Sequence, residues 1–265
     1  MSDCYACQTE GCREHYHDGP GGRNQFSFLR QPDDPGGIET LYLGFELEAE
    51  FIDGEYDDDT LCSVNDIVND NMLFSSDGSL HHGMELKHFP ATFEWYNANK
   101  NSIATVLQDA NEISHTERTC GMHVHMSRKP FSTQQIVDII KMFINNRNKI
   151  ILFSRRHESD LIEWAPINDN ALHDFESRGQ TYKYNATSVN SKTIEIRLFD
   201  GTLDVDEVYA NLEFCYGLYN YTKDAGDLHE NEYLEWEHFA SYVTSHPETY
   251  PNLINKLQEV NLCSI

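Results

Sequence analysis

Leu41-Tyr42-Leu43-Gly44-Phe45-Glu46-Leu47-Glu48-Ala49-Glu50-Phe51 places Leu41, Leu43, Phe45, Leu47, Ala49 and Phe51 on one side of an extended chain. Tyr42, Gly44, Glu46, Glu48 and Glu50 fall on the other. A period of two is the mark of a half-buried strand, here with an acidic opposite face. Working outward, the pattern recurs three times. Residues 84–89 read as a strand carrying Glu85; Met122, Val124 and Met126 alternate with His123, His125 and Ser127; Ile194, Ile196 and Leu198 alternate with Glu195 and Arg197. Buried parallel strands tend to be continuously apolar, whereas these four alternate cleanly. The expectation is an α+β fold, an antiparallel sheet with helices packed on one face and a wet cavity on the other.

Between the strands, residues 93–113 read as a helix with Tyr96, Ile103, Val106 and Leu107 on its packing face. Ser132 followed by Gln135 spells a capping box. It precedes Ile136, Ile139, Ile140, Phe143, Ile144 and Ile151 on one helical face, in a helix ending near Phe153. Asp204 with Glu207 predicts a cap for a helix through about Tyr221, and amphipathic segments at 233–243 and 247–257 close the chain. Residues 53–79 read as a connection with a short helix near Val64 to Val68, and 155–190 as a long polar and aromatic loop, a length that usually carries function. Residues 1–37, ending in Pro35, Gly36 and Gly37, read as a small appendage and linker ahead of one catalytic domain over 38–265.

Side chains two apart on a strand point the same way, about 6.5–7 Å apart. Glu46 with Glu48, His123 with His125 and Glu195 with Arg197 therefore form pairs on three strands, and Glu85 joins them from a fourth. Carboxylates gathered in one cavity repel one another unless cations neutralise them. Oxygen ligands with an imidazole suit Mg²⁺ or Mn²⁺ rather than a thiolate zinc site. Arg197 adds a planar fork matched to phosphate oxygens. Metal ions and an arginine aimed at one phosphoryl group are the parts that phosphoryl transfer uses. The bland alternatives are a solvated acidic face, structural histidines and a cross-strand ion pair; for Glu50, near the strand end, the solvated reading is preferred.

GFELEAEF (44–51), SSDGSLHHGMELKHFP (75–90), CGMHVHMS (120–127) and TIEIRLFDGTLD (193–204), in that order, resemble the amidoligases of phages and bacteria. These are members of the glutamine synthetase and glutamate–cysteine ligase fold. The resemblance spans about residues 40–222. It implies an ATP-dependent carboxylate–amine ligase in which a carboxylate attacks the γ-phosphate and an amine then displaces phosphate from the acyl phosphate. By the same resemblance Glu46, Asp77 and Glu85 hold one divalent ion, and Glu48, His123 and Glu195 hold another that meets the ATP phosphates. Arg197 binds the transferred phosphoryl group, His125 lies in the nucleotide site, and Arg178 and Lys183 are phosphate or carboxylate binders. Partners are then a carboxylate and an amine substrate, from an amino acid, a peptide or a protein.

Cys4, Cys7, Cys12 and His15 or His17 have the compact spacing of a structural Zn²⁺ knuckle, separate from the catalytic ions. Cys62, Cys120, Cys215 and Cys263 read as packing residues. With 19 Lys and Arg against 44 Asp and Glu the formal charge is −25, which argues against a duplex nucleic-acid partner. No apolar run reaches the roughly 18 residues of a spanning helix, and no signal-peptide layout opens the chain, so the expected setting is cytoplasmic, the host cytoplasm if phage-encoded. Two other functions compete. One is a metal-dependent hydrolase or oxygenase of barrel type, drawn from the HVH pattern; it lacks the late-strand histidine such sites need. The other is a non-enzymatic acidic phage interaction protein or DNA mimic, drawn from the net charge.

Overall fold

The computed structural model describes residues 40–52, 72–75, 79–224 and 234–263. The appendage with Cys4, Cys7, Cys12, His15 and His17, the helix expected near Val64 and the candidate ligand Asp77 lie outside them. The described strands are β1 (Leu43–Phe51), β2 (Met72–Ser75), β3 (Gly83–His88), β4 (Ser114–His115), β5 (Gly121–Ser127), β6 (Thr187–Val189) and β7 (Thr193–Asp200). They form one sheet in the order β2-β3-β1-β5-β7-β6, with β4 pairing β1 at the side. β1 with β3 and β4, β2 with β3, and β6 with β7 all pair antiparallel. The fold is thus mixed, with an antiparallel sheet, as the alternation predicts. No helix among the described residues is long and apolar enough to cross a membrane.

The chain divides into two compact units, the first formed by Tyr42–Met122 with Gly201–Val205 and the second by His123–Asp200 with Asp206–Ile265. In the first, Leu43, Phe45, Leu47, Ala49 and Phe51 are all buried as the alternation predicts, but Glu48 and Glu50 on the opposite side are buried too, so β1 is not the half-buried strand expected. The helix expected over 93–113 is two helices, α1 (Phe93–Ala98) and α2 (Lys100–Ile113), broken at Asn99. Thr92 caps α1 by accepting from the Trp95 amide, and the Asn99 side chain donates back to the Trp95 carbonyl. The first bond opens α1 and the second closes it. β2 and β4 escaped the sequence reading because strands of four and two residues carry too little pattern to register.

The second unit begins its helices with α3 (Thr133–Asn145), whose capping box forms as predicted: Gln135 N donates to Ser132 Oγ, and Ser132 N to Gln135 Oε1. The chain does not run on helically to Phe153. Asn146 interrupts it before α4 (Arg147–Ser154), its amide donating to the carbonyls of Met142 and Leu234 and accepting from Trp236 N. The stretch read as a loop over 155–190 is instead α5 (Glu158–Trp164), α6 (Ala171–Arg178) and β6. α7 (Val205–Asp224), α8 (Trp236–Thr244) and α9 (Pro251–Glu259) complete the described chain. The aromatic centre of this unit stacks Phe153 on Phe214 with ring centroids 4.5 Å apart, and Trp236, Phe199 and Phe239 surround the pair. The Glu207 carboxylate takes Lys256 Nζ at 2.5 Å and Arg155 Nη1 at 3.4 Å.

Candidate active site

In the first unit the register of β1 against β3 decides which acids meet. Glu48 lies opposite Glu85 and Glu46 opposite Lys87, so four charged residues share one face of two strands. Gly83 is what allows β3 to close on β1, since a Cβ there would stand 2.4 Å from the Ala49 carbonyl oxygen. Glu48 and Glu85 are buried, at 6% and 4% exposure, and Glu46 is half-buried. Carboxylates are seldom buried without a partner. Glu48 Oε2 accepts from the Gly121 amide at 2.6 Å, and Glu85 Oε2 lies 2.5 Å from Lys87 Nζ. The same ammonium is 4.0 Å from Glu46 Oε1. Lys87 was missed by the sequence reading, although its spacing of two from Glu85 put it on the same face.

Glu50 departs from its expectation. It is not a solvated strand-end residue; it is buried and accepts from the backbone amides of His81 and His82, at 2.9 and 2.8 Å, holding the approach to β3. Cys120, just before β5, is a packing residue as expected. Burial, with Glu48 and Glu50 nearby, pushes its thiol up to about 11, so it does not supply a thiolate nucleophile at neutral pH.

In the second unit β5 and β7 carry the histidine and arginine pairs. His123 Nδ1 stands 3.6 Å from Glu195 Oε1, and the same carboxylate accepts from Arg197 Nη1. Glu195 and His123 are buried, whereas Arg197 and His125 are half-buried. Glu195 thus lies between an imidazole and a guanidinium, which orients the arginine fork. The Arg197 amide donates to the Ala186 carbonyl of the neighbouring ribbon, and the Arg197 carbonyl accepts from Arg156 Nη1 at 3.4 Å.

The segment 181–186 supplies a feature the sequence did not announce. Tyr184 presents its ring to two cations, Lys183 Nζ at 4.4 Å and Arg197 at 5.8 Å from the centroid, and Tyr182 meets it edge-on at 5.5 Å. The structure therefore brings Lys183 to Arg197 through Tyr184. It does not bring Arg178 there: that guanidinium is exposed at the end of α6 and pairs with Asp174 of its own helix at 2.7 Å.

As donors, Glu46, Glu48, Glu85, Glu195, His123 and His125 are the oxygen and imidazole ligands that Mg²⁺ or Mn²⁺ accept. Glu48 and Glu85 in the first unit and His123 and Glu195 in the second are buried on strands, whereas Glu46 and His125 are half-buried. No family model and no curated protein sequence matches the chain.

Proposed function

We propose that the protein is an ATP-dependent carboxylate–amine ligase of glutamine synthetase-like fold, forming an amide or isopeptide bond through an acyl phosphate. The observation that carries this reading is Glu195 flanked by His123 and Arg197 on β5 and β7, with the guanidinium held over Tyr184 beside Lys183. A barrel-type hydrolase or oxygenase would need a further histidine on a late strand, and β7 carries Arg197 two residues after Glu195 instead. A non-enzymatic acidic surface has no reason to bury Glu48, Glu85 and Glu195.

In this proposal Arg197 and Lys183 bind the γ-phosphate and the developing charge on its equatorial oxygens. Glu195 orients Arg197, and His125 lies beside the nucleotide. Glu46 and Glu48 in the first unit, and Glu195, His123 and His125 in the second, are by residue type donors that suit a divalent cation. Bound there, Mg²⁺ would neutralise the phosphate charge. A substrate carboxylate oxygen attacks the γ-phosphorus as the bond to ADP breaks. The amine then attacks the acyl carbon, loses a proton, and expels inorganic phosphate. Incubation with Mg²⁺, ATP and pooled amino acids and peptides should release ADP and phosphate only when an amine is present, and Arg197→Ala should abolish that release. Failure of ATP to bind the folded chain at any Mg²⁺ concentration removes the reading.

A further inference from the structure

A pair of metal ions, the arrangement the sequence resemblance implies, needs Glu46 and Glu85 as ligands of the same ion. The register of β1 and β3 sets a lysine into that place. Lys87 stands directly opposite Glu46 and two residues from Glu85, with Nζ 2.5 Å from Glu85 Oε2 and 4.0 Å from Glu46 Oε1. Mg²⁺ binds carboxylate oxygens at about 2.0–2.1 Å. An ion on Glu85 Oε2 would therefore lie within a few ångströms of an ammonium that already bonds that oxygen, and the like charges repel. Lys87 is also no loosely solvated surface lysine: its side chain is only 21% exposed, and the carboxylate it meets is 5% exposed.

We propose that the Lys87 ammonium is a built-in substitute for one of the two cations, so that the chain works with a single divalent ion. This rests on the proposed metal-dependent function and sharpens it. The three positive charges of a cation and an ammonium replace the four of a metal pair, and Glu85 becomes a residue that positions Lys87 rather than a metal ligand.

The test is a titration of the wild-type chain with Mn²⁺ alone, following bound ion by its paramagnetic resonance; Mn²⁺ avoids the thiolate-rich residues of the N-terminal segment. One ion per chain is expected. Lys87→Met should bind a second ion, or gain at least tenfold in affinity for it, without change in helix content. Two ions on the wild type, or Lys87→Met unchanged in number and affinity, overturns the inference. Since Lys87→Met strips buried Glu85 of its ammonium and could unfold, the wild type carries its own check in the nitrogen resonance of the lysine ammonium. That signal should remain paired and slowly exchanging at saturating Mg²⁺; its release by Mg²⁺ sinks the proposal. No Mn²⁺ on the wild type but one ion on Lys87→Met would uphold Lys87 as the substitute while removing the metal-dependent ligase.

Discussion

Glu48 Oε2 accepts the Gly121 amide at 2.6 Å, so an acid of β1 is bonded to the backbone where β5 begins. A charge-assisted bond of this kind contributes about 1.5–3 kcal/mol. Glu48→Gln keeps an oxygen acceptor there and removes only the charge, whereas Glu48→Ala removes both. Glu48→Gln should therefore fold within about 1 kcal/mol of the wild type while ATP turnover falls at least a hundredfold. Glu48→Ala should lose turnover and about 2–3 kcal/mol of stability together. Urea midpoints with a phosphate-release assay separate the two effects.

Tyr184→Ala should weaken ATP binding more than it slows a saturated enzyme, since its ring only holds Lys183 and Arg197 in place. Contacts of this kind are worth about 0.5–1 kcal/mol each at exposed positions, which corresponds to a few-fold rise in KM. Tyr184→Phe keeps the ring and should behave as wild type.

His88 gives the fold an acid limit. Its ring is buried against Phe45, Trp95 and Tyr96, and Nδ1 lies 2.7 Å from the Phe89 carbonyl oxygen and 2.8 Å from the Tyr96 hydroxyl. Burial holds the imidazole well below its ordinary value, at about 4, against the weaker opposing pull of the Phe89 carbonyl. The unfolded chain binds this proton more tightly than the folded one. Stability from the neutral ring is complete above about 6.5 and is lost as pH falls through the window down to 4. The difference amounts to about 3 kcal/mol. Unfolding free energy measured from pH 7.5 to 4 should fall by this much more in the wild type than in His88→Phe.

Glu213, fully buried on α7, accepts from Leu253 N at 2.7 Å and from the Asn252 amide side chain, at the start of α9. Tyr250 makes no side-chain cap bond of its own, so Glu213 does this from another helix and places its charge at the positive end of α9. Glu213→Ala should cost about 2 kcal/mol and raise amide exchange in the first turn of α9, whereas Glu213→Gln should cost less than half as much.

What could be read from the sequence was what repeats locally. β1, β3, β5 and β7 announced themselves by alternation, and α3 by Ser132 and Gln135, because both signals are complete within a few residues. α5 and α6, of seven and eight residues, were hidden inside a polar stretch whose buried anchors, Leu161 and Phe175, are too sparse to make a period. The break at Asn146 was invisible because two of its bonds reach residues 88 and 90 positions away. At the candidate site the acids, histidines and Arg197 were legible by residue type and spacing. Lys87 was passed over because its meaning depends on the register that sets it opposite Glu46. Glu50 was misjudged for a similar reason, its partners being backbone amides 31 and 32 residues further on.

Gly83 turns that register into a constraint on what this scaffold can become. Sliding β3 by one residue would push a side chain into the Ala49 carbonyl and turn Glu85 and Lys87 to the opposite surface. The pairing of acid with acid and acid with lysine is thus indexed by a single missing methyl group, and any lineage that kept its charges but gave up that hydrogen atom would have to rebuild the whole array elsewhere.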